Sequence, residues 1–457
     1  MTVGGFDRGG VGPRIAAALG ANIAGRVLAI GIQIATPALF LWCWSVELYG
    51  EWLVLTALPA ALAASDLGFC AAASNDLTIR AAKGDAAGAV AVFQSGLGLV
   101  LTASALVTVL VVGVVAGCDV SAMLGLNSIG ASEVRVILVV LTLQIALGLP
   151  GELLLGGFRG ANRFAEGLVI ANALTVLDIV GTVGALFCVG TPLAVAIAAL
   201  AAQGVRLGIM AVLMRRRLGW PGVLRPRFSL ADYRRLLPPA LGFASVPLAR
   251  AAGNQGMVIL LGLLADPVLV VAFTTSRTAV RLVSTVAGLV VNSISSELSV
   301  AWAGEGRALL RALLIGAGQV TLWSGLAAAL LLVFGRDVLA RLWLHGAVVL
   351  PLALLLPLIA AELANALGRV AFIVIAAANR HARTAFGTCL LSFGGLGLAA
   401  LLIPGAGAVG AGLAVASAEA AILVLTLRTA GRLAGIPPGF LLTRLLVPPF
   451  WGVRLPS

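Results

Sequence analysis

The chain has 457 residues, 61% of them hydrophobic and only 11% charged, with a formal net charge of +12. A soluble domain carries about 45–50% apolar and about 25% charged residues, so this composition excludes an ordinary water-soluble enzyme and predicts a polytopic membrane protein. The positive balance gives no support to nucleic-acid binding, because the basic residues are scattered between apolar runs and no aromatic RNA-binding motif appears.

Residues 1–14 read as a short polar arm, and the apolar run after it is too long for a cleavable signal peptide. At about 20 apolar residues per crossing, transmembrane helices are predicted over 15–42, 51–73, 89–117, 134–155, 165–188 and 192–214 in the first half. The second half continues with 236–265, 268–297, 309–334, 348–377, 385–404 and 407–428. Between the halves lies the most basic connection, "RRRLGWPGVLRPRFSLADYRR" at 215–235. The expected organisation is therefore an N-terminal lobe over 1–214, a basic cytoplasmic inter-lobe loop over 215–235, a C-terminal lobe over 236–430 and a cytoplasmic tail over 431–457. Alternate loops hold 21 of the Lys and Arg residues and the opposite loops only 3. That asymmetry predicts about 12 spans in two six-helix lobes with both termini in the cytoplasm.

Along the chain, Trp42, Trp44, Tyr49 and Trp52 cluster at the first outer turn, and Trp343 marks the fifth; all five read as interface anchors. Pro37 in the first span and Pro247 in the seventh are candidate kinks. Five cysteines show no CxxC and no metal spacing, so they read as small apolar packing residues, with a Cys118–Cys188 bridge left open. His345 and His381 have no ligand partner at metal spacing, and no metal site or cofactor is expected. "GAGAVG" at 405–410 fits GxGxxG but follows no strand, and no GxxxxGK[ST] is present, so neither a nucleotide site nor a built-in ATP motor is expected. No nucleophile stands with its base, so the chain reads as a non-enzyme. Small residues four apart among the 56 glycines predict close helix packing.

Six arginines remain inside predicted spans: Arg26, Arg206, Arg250, Arg277, Arg281 and Arg369. Counted from the span ends at 1.5 Å per residue, Arg26, Arg250 and Arg277 lie about 16, about 21 and about 14 Å deep. Arg281 follows one turn later on the face of Arg277. An unpaired charge at that depth costs at least about 2.5–3.5 kcal/mol, so each must be paired, line water or meet an anion. Arg206 and Arg369 sit nearer the cytoplasmic ends or among polar neighbours, where snorkelling suffices. Acids within spans are Asp66, Glu152, Asp178, Glu297, Glu362 and Glu419, and ion pairing with them is the plainer alternative for any one arginine. A group of guanidiniums in a watered cavity suits phosphate or pyrophosphate, which they bind bidentately.

Two stretches carry a family resemblance. In "VELYGEWLVLTALPAALAASDLGFCAAASNDL" (46–77), a Tyr-Gly pair opens the second span, Asp66-Leu67-Gly68 closes it, and Gly84-Asp85 follows in the next loop. In "FTTSRTAVRLVSTVAGLVVNSISSELSVAWAGEG" (273–306), Arg277-Thr278 is followed by Arg281 and then Glu297. Both resemble the O-antigen and exopolysaccharide flippase branch of the MATE-like multidrug/oligosaccharidyl-lipid/polysaccharide (MOP) superfamily. The resemblance implies an all-α, V-shaped, two-lobed transporter in the bacterial inner membrane. It also implies a central arginine-lined cavity, an undecaprenyl-pyrophosphate-linked oligosaccharide as substrate, and polysaccharide polymerase or assembly proteins as partners. Arg26, Arg250, Arg277 and Arg281 become the expected pyrophosphate ligands, and Glu152, Asp178, Glu362 and Glu419 candidates for coupling to protons or sodium. Related drug exporters carry an acid early in the first span, where this chain has Arg26 and none. A drug exporter of the same superfamily and a non-transporting scaffold in polysaccharide assembly remain the alternatives.

Overall fold

The computed structural model describes residues 11–62, 68–218, 220, 222–281, 283, 307–378 and 380–448. Asp66 and Glu297 lie outside them, as do the Asp-Leu part of the 66–68 triplet and most of the eighth predicted span after Arg281. Every regular element among the described residues is helical. Eight helices there are long and apolar enough to cross a membrane. Leu331, Phe334 and Leu401 are each more than three-quarters exposed, as lipid-facing side chains should be. The chain is a multi-pass membrane protein. Its contacts divide it into two compact units, Met1–Ala251 and Ala252–Ser457.

The first unit contains α1 (Val11–Cys43), α2 (Val46–Leu62), α3 (Phe69–Ala82), α4 (Ala86–Gly117), the short α5 (Val120–Met123), α6 (Ala131–Gly160), α7 (Phe164–Cys188), α8 (Pro192–Leu218) and α9 (Leu230–Ala251). The second predicted span is thus divided between α2 and α3. Phe93, Leu77, Leu153, Phe158 and Met214 form the buried core of α3, α4, α6 and α8. Glycines let these helices approach as the small-residue spacing predicts. A Cβ on Gly156 would stand 2.1 Å from Ser74 Oγ, and one on Gly96 3.0 Å from Ala73 Cβ.

Two features of this unit differ from expectation. Trp44, Tyr49 and Trp52 are buried rather than anchored at an interface, because they stack with Phe40 into one aromatic cluster; Trp42 alone of the four is exposed. Trp44 Nε1 donates to the Gly190 carbonyl at 2.6 Å, and the buried Glu51 carboxylate accepts the main-chain N–H groups of Asn127, Ser128 and Ile129 at 2.8, 2.7 and 3.1 Å. The basic connection, moreover, is a docked strap. Val223 is buried in the core beside Trp220 and Leu224, Gln94 Nε2 donates to the Gly222 carbonyl, and the Arg227 N–H donates to the Gln94 carbonyl. The Ser95 hydroxyl donates to Asp232 at 2.7 Å and, as the largest influence, holds that carboxyl below the usual carboxylate range. Arg235 reaches Asp76 at 3.3 Å. These anchors tie α9 to the first unit, whose contacts end at Ala251.

In the second unit a single π-helical turn, Ala252–Gly256, leads to α10 (Met257–Leu264) and α11 (Pro267–Arg281). α12 (Arg307–Trp343), α13 (Leu352–Ala377), α14 (His381–Ala434) and α15 (Pro438–Leu445) follow. The seventh predicted span is therefore broken at the π-turn, five residues beyond Pro247. Leu310, Leu314, Val370, Val374, Ala430 and Leu445 form the core. α14 spans 54 residues and holds both of the last predicted spans, joined at Gly407 with φ 52° and ψ −135°. Its two arms run antiparallel: Gly387 packs on Leu425, Gly395 on Ala418, and Gly410 on the Leu402 carbonyl. The glycines of "GAGAVG" thus serve a hairpin. Arg311 closes its far end by donating to the Ala434 and Gly435 carbonyls at 2.8 and 3.0 Å. All five cysteines are free thiols, so Cys118 and Cys188 are not bridged.

Candidate functional site

A polar lane runs through the second unit, and it starts from the π-turn. The sequence "AGNQG" places two glycines and two amides in an otherwise apolar segment, and a π-turn inserts one extra residue where helical hydrogen bonds are already weak. α11 faces this turn with the stretch that holds Arg277 and Arg281. Thr274 and Thr275 bond back to the Val270 and Val271 carbonyls, which keeps their hydroxyls within the helix. The Arg277 guanidinium lies 5.8 Å from the centre of the buried Phe273 ring. It donates through Nη1 to the Gly253 carbonyl at 2.7 Å and through Nη2 to Asn254 Oδ1 at 2.7 Å. Arg281 Nη2 donates to the same Asn254 oxygen at 2.8 Å.

Two carboxylates complete the lane. Glu362 on α13 is a charge neighbour of both arginines, and Glu419 on the second arm of α14 is a charge neighbour of Arg277. Each carboxylate also has a partner of its own. Asn365 Nδ2 donates to Glu419 Oε2 at 3.1 Å, and Arg369 Nη2 stands 3.9 Å from Glu362 Oε1. Arg277 is therefore held by a carbonyl, an amide and an aromatic face, and among the described residues it makes no ion pair within 4.0 Å. Among the described residues the lane brings three guanidiniums together with two carboxylates, a donor-rich setting that suits an anion. Guanidinium N–H groups hold phosphoryl oxygens through charge-assisted hydrogen bonds of this kind.

Arg277, Arg281, Glu362 and Glu419 are thus brought together. Arg26 and Arg250 belong to the first unit, where both are exposed, Arg26 on α1 and Arg250 in the last turn of α9. Glu152 is exposed on α6. Asp178 on α7 is a charge neighbour of Arg206, which contacts Thr175 at 3.4 Å, and its buried Oδ1 meets no hydrogen-bond partner among the described residues. Sequence reasoning missed Asn254, Asn365 and the Gly253 carbonyl. The available signal was a Gly-Asn-Gln-Gly run within an apolar span, four residues past the deep Arg250.

No family model matches the sequence, and no curated protein matches it. Solved structures do. A multidrug resistance MATE family transporter of the MOP superfamily, captured inward-facing, superposes with a TM-score of 0.71 over 88% of this chain and 94% of its own, at 16% identity. The lipid II flippase MurJ, in an inward closed conformation, gives 0.66 over 94% of this chain and 90% of its own, at 15% identity. The fold is that of MATE transporters and MurJ. A eukaryotic MATE transporter, AtDTX14, shares it with a TM-score of 0.58 over 92% of this chain and 98% of its own, at 13% identity. The all-α, MATE-like architecture expected from the sequence is therefore present. Identities this low carry the fold and leave the substrate to the site.

Proposed function

We propose that this protein is a flippase of the bacterial inner membrane that turns undecaprenyl-pyrophosphate-linked oligosaccharides from the inner to the outer leaflet for surface polysaccharide synthesis. The observation that carries the reading is the convergence of Arg277 and Arg281 on one oxygen acceptor within this polar lane. The motif resemblance at 46–77 and 273–306 supplies the substrate class, and the fold shared with a lipid II flippase supports it. Arg26 and Arg250, on the first unit, are proposed as phosphate ligands on the sequence alone. Coupling to protons or sodium falls to Glu362 and Glu419, which stand beside the arginines, with Glu152 and Asp178 as the candidates in the first unit.

Arg277→Ala should abolish surface polymer while the amount of protein in the membrane stays unchanged. Arg277→Lys should rescue only in part, because an ammonium cannot make the planar two-point contact. Full polymer production by the alanine variant would refute the site.

One observation favours a second reading, a cation-coupled exporter of small molecules: the superposition on the multidrug resistance transporter is as extensive as that on the flippase. Drug resistance on overexpression, together with unchanged surface polymer on deletion, would select it.

A further inference from the structure

We propose that Asn254 is an internal placeholder for the substrate anion: its amide oxygen occupies the position that a phosphoryl oxygen takes between Arg277 and Arg281, and the anion binds by displacing it. The inference rests on the pyrophosphate reading of this site and adds a regulatory element to it.

Four observations support the displacement. Both guanidiniums direct an Nη2 donor at the same oxygen, at 2.7 and 2.8 Å. The occupant is a neutral amide: its bonds are charge-assisted by the guanidiniums, but they lack the ion–ion attraction that a phosphoryl oxygen would add. Among the described residues, Glu419 is engaged by Asn365 and Glu362 stands against Arg369, so neither takes its place on Arg277. The cationic charge of Arg277 is thereby kept available while its N–H groups stay satisfied. This matters in an apolar interior, where an unpartnered donor is costly.

The mounting of Asn254 also favours departure. It sits in the π-turn, which holds one residue more than an α-helical turn needs, so taking up that extra residue rotates the side chain to another face. Space exists for this rearrangement. Gly253 has open room at its Cβ position, with nothing within 4 Å, and residues 253–256 are only half-buried. Gly256, in contrast, is packed against Leu396, which fixes the end of the turn that does not need to move. An anion arriving at the arginines therefore replaces a neutral internal acceptor and meets Nη2 donors already aligned.

The same contacts would also suit a residue that merely orients the arginines, and the two roles predict opposite signs. Purified full-length protein in lipid nanodiscs would be titrated with inorganic pyrophosphate, and in a second arm with undecaprenyl pyrophosphate. The first arm reads the phosphoryl chemistry alone, and the second reads any preference for the lipid-borne form. For Asn254→Ala, displacement predicts an affinity increase of about tenfold in whichever arm binds, since the internal competitor is gone. Asn254→Asp installs a charged competitor, and affinity should fall by at least about tenfold while the thermal unfolding midpoint rises. Adding Arg277→Gln to Asn254→Ala should remove the gain. Weaker binding by Asn254→Ala in a protein whose unfolding midpoint matches the native chain would overturn the placeholder and leave the pyrophosphate reading standing. Binding by neither the native protein nor Asn254→Ala, in both arms, would overturn that reading and the placeholder with it.

Discussion

Glu51 and Asn254 show how single acceptors organise an apolar protein. Glu51 is 2% exposed and gathers three main-chain N–H groups from the 127–129 turn, donors with no helix of their own to satisfy them. Glu51→Ala would strand all three, and a buried donor without a partner costs about 1–3 kcal/mol. Unfolding stability in detergent should therefore drop by about 3 kcal/mol or more, with Glu51→Gln losing about half as much because one acceptor oxygen remains. A loss within 0.5 kcal/mol for Glu51→Ala, about the ordinary scatter of surface changes, would show that water replaces the carboxylate. The arginines of the site were legible in the sequence because a guanidinium within an apolar run is costly enough to demand a reason. Asn254 was not, since a neutral amide in a span is common and its importance comes from two partners 23 and 27 residues away.

At the scale of elements, composition gave helix positions closely but not their interruptions. Hydropathy sums over about 20 residues, so the π-turn at 252–256 is invisible to it, whereas the turn expected between the spans 385–404 and 407–428 falls at Gly407. Both are backbone events decided by glycines and by what packs beside them. The hairpin makes a graded prediction. Gly407→Ala forces a side chain to φ 52° and should cost about 1–2 kcal/mol. Gly410→Ala should cost more, because its Cβ would stand 2.5 Å from the Leu402 carbonyl oxygen, which is backbone and cannot swing away. Gly405→Ala has nothing within 4 Å and should be neutral or slightly stabilising. Thermal unfolding of the three variants tests the order, and equal midpoints would mean that the two arms separate at no cost.

For the whole molecule, the span map and the loop-charge asymmetry make a claim about sidedness that the native cysteines test. Cys118 and Cys188 end α4 and α7, both exposed as free thiols, at turns expected to face away from the cytoplasm. In single-cysteine variants, a membrane-impermeant maleimide should label each of them in intact spheroplasts. Labelling only after permeabilisation would invert the orientation. The boundary between the two units was less legible than the spans. A polar, Pro- and Arg-rich stretch reads as a free linker, and nothing local reveals that Val223 is buried or that Ser95 and Asp76 will hold Asp232 and Arg235. Long-range pairing of short polar groups leaves no periodic trace.

The hairpin also bears on how the protein is made. Its two arms are joined with no loop between them; Arg380 caps and Arg383 lies in the first turn of the first arm, while Arg428 and Arg432 lie near the end of the second. During synthesis the pair is therefore expected to leave the insertion machinery as one object. Its sidedness is fixed once, by four cations gathered at its open end, and neither arm partitions into lipid alone.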